Sequence, residues 1–221
     1  MKLTISQYPG SFLIAEMLPN EKIITEKGAM IYCNGEHEQE NKIEAGSVKN
    51  WIAKLLGKSF TYNIYTAKES LKFIFAPQNN AEIFQIEVKK ETPILLEPDM
   101  HFARTMGLEI QLAKQSWKST LNDGLKLRTQ GSGTLILQGY GNIIEHELNT
   151  TKPVYIDEGA LIAFEEKLEV KTVSKSIKET LTSGEGFLFK ITGKGKIWLQ
   201  TREQGDTSGG GFIGSMVGLA T

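Results

Sequence analysis

The sequence predicts an all-β fold: a compact β-sandwich or β-prism with internal repeats of pseudo-threefold character and one short helix. Three observations lead there. A strand-turn-strand segment occurs twice without a gap, its glycine and asparagine turns lie between short apolar or alternating runs, and one stretch alone has convincing helical spacing. The repeated segment is Pro93-Ile94-Leu95-Leu96-Glu97-Pro98-Asp99-Met100-His101-Phe102-Ala103. It returns as Pro153-Val154-Tyr155-Ile156-Asp157-Glu158-Gly159-Ala160-Leu161-Ile162-Ala163, offset throughout by 60 (153 against 93). An ungapped match over two strands and their turn marks a duplicated supersecondary unit.

Each copy is preceded by two further strands. The first runs Leu71–Ala76, changes direction at Pro77-Gln78-Asn79-Asn80 and continues over Glu82–Val88. The second runs Thr134–Gln138, then Gly139-Tyr140-Gly141-Asn142, then Ile143–Leu148. Both read as hairpins, because turn residues between short apolar runs are the usual hairpin signal. Phe73 matches Leu135 at an offset of 62 and Val88 matches Leu148 at 60, so the first connection is two residues longer. A third leading hairpin is expected over Gly184–Leu199, with Gly193 and Gly195 at its turn.

The missing half of that third unit is at the other end of the chain. Phe12–Met17 and Lys22–Tyr32 align with Ile83–Val88 and Pro93–Ala103 at an offset of 71, which puts Gly28, Asp99 and Gly159 at one turn position. The expected organisation is a single all-β domain over 1–204, built from three units: 12–32 with 187–199, 71–103, and 134–163. N-terminal and C-terminal strands together complete the third unit. Closing such a ring removes exposed strand edges.

Helical spacing is confined to Ser47–Gly57, with Val48, Trp51, Ile52, Leu55 and Leu56 on one face, Ser47 at the N-cap and Gly57 at the C-cap. The expected role is packing on a sheet. A second stretch, 112–122, is interrupted by Ser116, Ser119 and Thr120. Residues 205–221 form a Gly-rich C-terminal tail, read as a flexible extension, an apolar contact for another subunit or a membrane contact, and too short from Gly211 to Ala220 to span a bilayer.

Composition narrows the function. The 25 basic and 26 acidic residues nearly cancel, so no global field attracts nucleic acid or anionic lipid. Cys33 is the single cysteine, which excludes an internal disulfide and a cysteine-based metal site and is compatible with a reducing compartment. No signal-peptide h-region and no apolar run of about 20 residues is present. A cytoplasmic protein is the expectation.

No constellation of residues indicates a reaction. His37, His101 and His146 occupy different repeat positions and lack the spacing of a zinc helix. Gly131-Ser132-Gly133 and Gly139-Tyr140-Gly141 recur with the repeat and do not open a helix, so turn geometry accounts for them better than phosphate binding. Ser132 and Ser215 have no identifiable base, and Cys33 reads as a small buried residue. Asp157-Glu158 and Glu165-Glu166 read as solvated turn and edge charges. Lys190, Lys194, Lys196 and Trp198 have the makings of a weak nucleic-acid surface, but Glu185 and Glu203 flank them. No catalytic, cofactor-binding or metal-ligating residue is assigned, and no cofactor is expected.

Glu26-Lys27-Gly28-Ala29-Met30-Ile31-Tyr32, its counterpart Val154–Phe164, and the ending Gly184-Glu185-Gly186-Phe187 with Gly193–Arg202 carry a family resemblance. The chain resembles the family of the fungal mitochondrial biogenesis protein of the altered-inheritance-of-mitochondria class, which has many bacterial members of unknown function. The resemblance implies a compact β-fold, double-stranded β-helix-like and similar to the tryptophan RNA-binding attenuation protein, with three related β-units. It implies no catalytic residues. Lys58, where relatives usually have Glu, and Gln78-Asn79-Asn80, in place of a glycine turn, depart from the pattern. The functional expectation is a non-enzymatic structural or protein-interaction scaffold, with a protein partner or self-association. A small-ligand-binding or enzymatic β-barrel is the alternative, and weak nucleic-acid binding a third.

Overall fold

The computed structural model describes residues 1–7, 10–43, 61–78, 80–113, 126–173 and 188–203. They form sixteen strands: β1 (Lys2–Ser6), β2 (Phe12–Met17), β3 (Lys22–Glu26), β4 (Met30–Cys33), β5 (His37–Ile43), β6 (Thr61–Ala67), β7 (Leu71–Phe75), β8 (Glu82–Val88), β9 (Ile94–Leu96), β10 (His101–Thr105), β11 (Leu108–Leu112), β12 (Leu127–Gly131), β13 (Gly133–Asp157), β14 (Leu161–Glu165), β15 (Glu169–Val173) and β16 (Leu188–Arg202). The protein is all-β as expected. The helix expected over 47–57, nearly all of 112–122 and the segment 205–221 lie outside the described residues.

Two antiparallel sheets hold the strands. One has four strands in the order β1-β2-β7-β4, and the other has twelve, in the order β11-β12-β9-β14-β16-β13-β10-β3-β6-β5 with β15 beside β16 and β8 beside β13. Period-two alternation turns one face of each strand inward. On β7 that face is Leu71, Phe73 and Phe75; on β2 it is Leu13, Ala15 and Met17. These residues form one apolar cluster with Tyr65, Phe102 and Ile136. A second cluster gathers Val88, Leu96, Leu108, Leu135, Leu137 and Trp198, and a third Leu148, Leu161, Phe164, Phe189, Ile191 and Ile197.

The expected hairpins are not hairpins. β7 pairs with β2 and β4 and not with β8, which pairs with β13. Residues 133–157 form one strand whose first part, Gly133–Gly139, pairs with β8, and whose remainder, from Tyr140, pairs with β16. β16 is likewise continuous through Gly193 and Gly195. The physical reason is that a strand can bend from one sheet into the next by a bulge, and β13 has ladder irregularities at Tyr140/Ile143 and Thr150/Val154. Turn-forming residues signal a change of direction without specifying whether the chain returns on itself.

The repeated segment is also a corner. β9 pairs with β12 and β14, whereas β10, reached through a 3-10 turn at Pro98–Met100, pairs with β13 and β3. A second 3-10 turn, Glu158–Ala160, occupies the matching place before β14. Three pairings then correspond across the chain: β4 with β7, β10 with β13, and β14 with β16. Each has a register shift at the same position, Met30/Tyr32, His101/Ala103 and Leu161/Ala163, which are the sequence offsets of 71 and 60.

The expected ring is not closed. Among the described residues the N-terminal strands do not pair with β16, and the two sheets stay separate. β7 and β8, which hold the corresponding places in the segment 71–103, do not pair either.

Gly131 and Gly133 enclose the tight connection of β12 to β13, at φ of +93° and +156°. A Cβ at Gly131 would lie 2.4 Å from the Gly107 carbonyl oxygen, which is backbone and cannot rotate away. Gly131→Ala is expected to cost about 1–3 kcal/mol, from the left-handed conformation and the close contact together. Gly10→Ala, with nothing within 4 Å of the added carbon, is expected to change stability by less than about 0.5 kcal/mol. Thermal unfolding of the two variants checks this; equal midpoints would refute it.

Candidate functional site

At each corner the chain leaves one ladder before joining the next, and a backbone carbonyl there needs a donor from elsewhere. A glutamine supplies it three times. Nε2 of Gln78 donates to the carbonyl of Lys27 at 3.1 Å, that of Gln138 to Asp99 at 3.0 Å, and that of Gln200 to Gly159 at 2.7 Å. Asp99 and Gly159 occupy the turn position they share with Gly28, and Lys27 is the residue just before it. Gln138 and Gln200 are buried and stand 62 residues apart, the offset that relates Phe73 to Leu135.

The three corners are not chemically equal. Oε1 of Gln200 accepts the Tyr140 backbone N–H at 3.0 Å, so this glutamine is used at both ends. Gln138 instead donates a second time, to Oε2 of Glu26 at 3.0 Å. Its own Oε1 and the Oε1 of Glu26 are buried with no hydrogen-bond partner among the described residues. Burial pushes the Glu26 carboxyl up to about 7, against the opposing effect of hydrogen bonds from Gln138 and the Gln78 backbone. The nearby Tyr140 hydroxyl is raised too, first by burial and then by the negative charges of Glu26 and Asp99. Glu26, Gln138 and Tyr140 gather at this corner beside the Asp99 carbonyl. The Glu26 carboxyl can hold or release one proton near neutrality.

Apart from Cys33 and His37, the histidines and cysteine weighed from sequence are not brought together. His101 is buried at the start of β10, with Nε2 3.1 Å from Nη1 of Arg104 and its ring against Tyr62. Burial, then the Arg104 charge, holds its imidazole well below the ordinary histidine range. Nε of Arg104, itself buried, donates to the Leu108 carbonyl at 3.1 Å. His146 lies on β13 opposite Ile197, far along the strand from the corners. His37 packs edge-on against Phe73, its Nδ1 3.5 Å from Sγ of half-buried Cys33. That pairing, across the tight turn between β4 and β5, was missed; its only signal is a Cys-x3-His spacing. Among the described residues no three His, Cys, Asp or Glu side chains are placed to hold a metal ion.

The other candidates have structural partners. Ser132 accepts the Lys90 backbone N–H at 3.0 Å, and Asp157 accepts that of Gly159 at 2.9 Å. Glu166 takes both arms of the Arg128 guanidinium at 2.6 and 2.7 Å, while Glu165 accepts from the Lys196 backbone at 3.0 Å. Glu145 binds the Lys196 ammonium and, at 3.0 Å, the Trp198 indole N–H. An open groove of about 810 Å³ runs past Glu82, Phe84, Asn142, Glu145 and Arg202, between β8, β13 and β16.

The raised Glu26 group has a definite pH consequence. Unfolded, the carboxyl loses its proton near 4.5; folded, it keeps it to about 7. The folded state therefore gains from the bound proton below 4.5 and loses that advantage as pH rises through 7. Glu26→Gln is expected to flatten the fall in melting temperature over that window. Above pH 7 the variant should melt about 2–4 °C higher, corresponding to roughly 1 kcal/mol. Melting curves across the window decide the matter, and an unchanged slope in the variant would contradict it.

The fold has a solved counterpart. The crystal structure of a Streptococcus pyogenes protein, determined in a structural genomics programme, superposes with a TM-score of 0.74 at 20% identity, covering 91% of this chain and 94% of that one. At that identity the likeness concerns the fold alone. None of the curated proteins matches the chain. The family model described as Mitochondrial biogenesis AIM24 matches residues 3–202, nearly the whole of the β-structure, and the chain belongs to that family.

Proposed function

We propose that the protein is a non-enzymatic scaffold that acts by presenting surfaces to protein partners. Its body is a β-prism of three related units about a pseudo-threefold axis, similar to the tryptophan RNA-binding attenuation protein. The observation that carries this reading is the triple use of glutamine at the corners. Each of these glutamines donates to a backbone carbonyl, and Gln138 and Gln200 stand at the same place in the repeat. Three apolar clusters fill the space between the strands, which counts against a ligand cavity inside the prism. Several lysines of the β13–β16 face are matched by carboxylates, Lys196 by Glu145 and Lys171 by Glu169, which leaves little local excess of positive charge for nucleic acid.

A small-ligand reading has one observation in its favour, the open groove beside Asn142 and Arg202. Its walls are polar, yet Glu145, the carboxylate at its centre, is already held by Lys196 and Trp198. The scaffold reading requires less of these residues. No helix among the described residues is long and apolar enough to cross a membrane, so a peripheral role at a membrane would depend on a partner or on surface contact.

Native mass spectrometry of the protein isolated from its own cells separates the readings, with the full chain compared against one ending at residue 204. The expected result is a stoichiometric complex with protein. A bound metabolite on an otherwise protein-free chain would contradict the proposal.

A further inference from the structure

Two of the three junctions between units are closed by a strand pair, and the third is open. At the first, β3 pairs with β10, Thr25 opposite Ala103 and Ile24 opposite Arg104. At the second, β9 pairs with β14, Leu96 opposite Ala163, Leu95 opposite Phe164 and Ile94 opposite Glu165. The repeat offsets carry these pairs to the third junction as Tyr32 opposite Ile156, Cys33 opposite Tyr155 and Asn34 opposite Val154. No such pairing exists among the described residues. Among the described residues β4 pairs with β7 alone and the end of β13 with β16 alone, so within them each has a free edge.

Burial marks the same place. Ile31 is 64% exposed, whereas its counterparts Phe102 and Ile162 are both 0% exposed. Tyr32 is 47% exposed, against 0% for Ala103 and 1% for Ala163. Tyr155 is 57% exposed, while Ile24, in the corresponding position of β3, is 4% exposed. Ile31 and Tyr32 thus face solvent where their counterparts are core, and Tyr155 is exposed where Ile24 is buried and Leu95 half-buried. An exposed apolar edge of this kind is a template for pairing.

The sequence explains why the seam does not close within the chain. The closed junctions place alanine, Ala103 or Ala163, where the strands meet, and each is fully enclosed. Tyrosine stands at that place in β4. Its ring is far larger than the space a methyl group fills, and forcing extra volume into a packed position is destabilising.

We propose that a second copy of this chain closes the seam, β4 of each copy pairing with the end of β13 of the other. The proposal rests on the three-unit reading above. Every strand pairing among the described residues is antiparallel. A single foreign strand inserted between the two edges would run parallel to one of them, since β4 and β13 would themselves meet antiparallel. A second copy brings the matching antiparallel edge to each. The exchange is two-fold and closes on itself, leaving neither edge free. Edges belonging to different molecules are also released from the angle that ring closure imposes, which gives Tyr32 room.

Cys33 makes the register testable, because the proposal puts it opposite Tyr155 of the other copy. Tyr155→Cys, oxidised mildly, is expected to give a covalent dimer on a non-reducing gel that disappears with reductant and when Cys33→Ser is added. Wild-type protein is expected to pass from the monomer mass to twice that mass as concentration rises, and Ile31→Lys to stay at the monomer mass throughout while melting at the temperature of dilute wild-type protein. Should Ile31→Lys not fold, Tyr32→Glu serves the same purpose. An internal cross-link within one chain, no cross-link, or a dimer that persists with Cys33→Ser would overturn the proposal, as would a wild-type monomer throughout. A monomer that still forms complexes with other proteins would remove the seam as a self-association surface and leave the scaffold reading intact.

Discussion

The fold depends on satisfying the backbone where strands turn corners. Inside a ladder each N–H and C=O has a partner by geometry, but a chain that passes from one sheet to the next leaves a carbonyl pointing at neither. A net contribution of about 0.5–1.5 kcal/mol per hydrogen bond is modest, whereas an unpaired buried acceptor costs about 1–3 kcal/mol. Glutamine meets the need because its long amide reaches across the corner and donates without carrying charge into the interior. The arrangement at Gln200 satisfies a carbonyl on one side and the Tyr140 N–H on the other.

The corner at Glu26 shows what happens when one copy drifts. Gln138 turns its second donor hydrogen to a carboxylate, and two buried oxygens are left unpartnered. A charged carboxylate there is disfavoured, which is why its proton is held to near neutrality. Such departures from the repeat, rather than the repeat itself, are where function is to be sought. The larger departure is at β4 and the end of β13, where Ile31, Tyr32 and Tyr155 are exposed to solvent and tyrosine stands where Ala103 and Ala163 are enclosed.

Much of this was legible in the sequence, for reasons that also explain what was not. Alternation and the turn shared by Gly28, Asp99 and Gly159 made the all-β class and its matching corners legible, because burial imposes period two and corners demand particular residues. Pairing was misread, since Gly139-Tyr140-Gly141-Asn142 has the local chemistry of a hairpin while long-range partners make it a bend in one strand. The glutamines were invisible, because a polar residue in an alternating strand reads as surface until its partner 39 or 41 residues away is known. Glu26 looked like an ordinary strand end for the same reason. Tyr32 opposite Ala103 and Ala163 was present in the alignment, but its meaning needed the structure to show that the alanines are enclosed.

Amide hydrogen exchange resolved by residue and followed over protein concentration is the most direct test of a three-unit prism with one open junction. The account predicts that amides on β10, β9 and β14 are protected at every concentration. Those of β4 and of the end of β13 should exchange rapidly in dilute protein and become protected as concentration rises. Equal protection at all three junctions in dilute protein, independent of concentration, would contradict it.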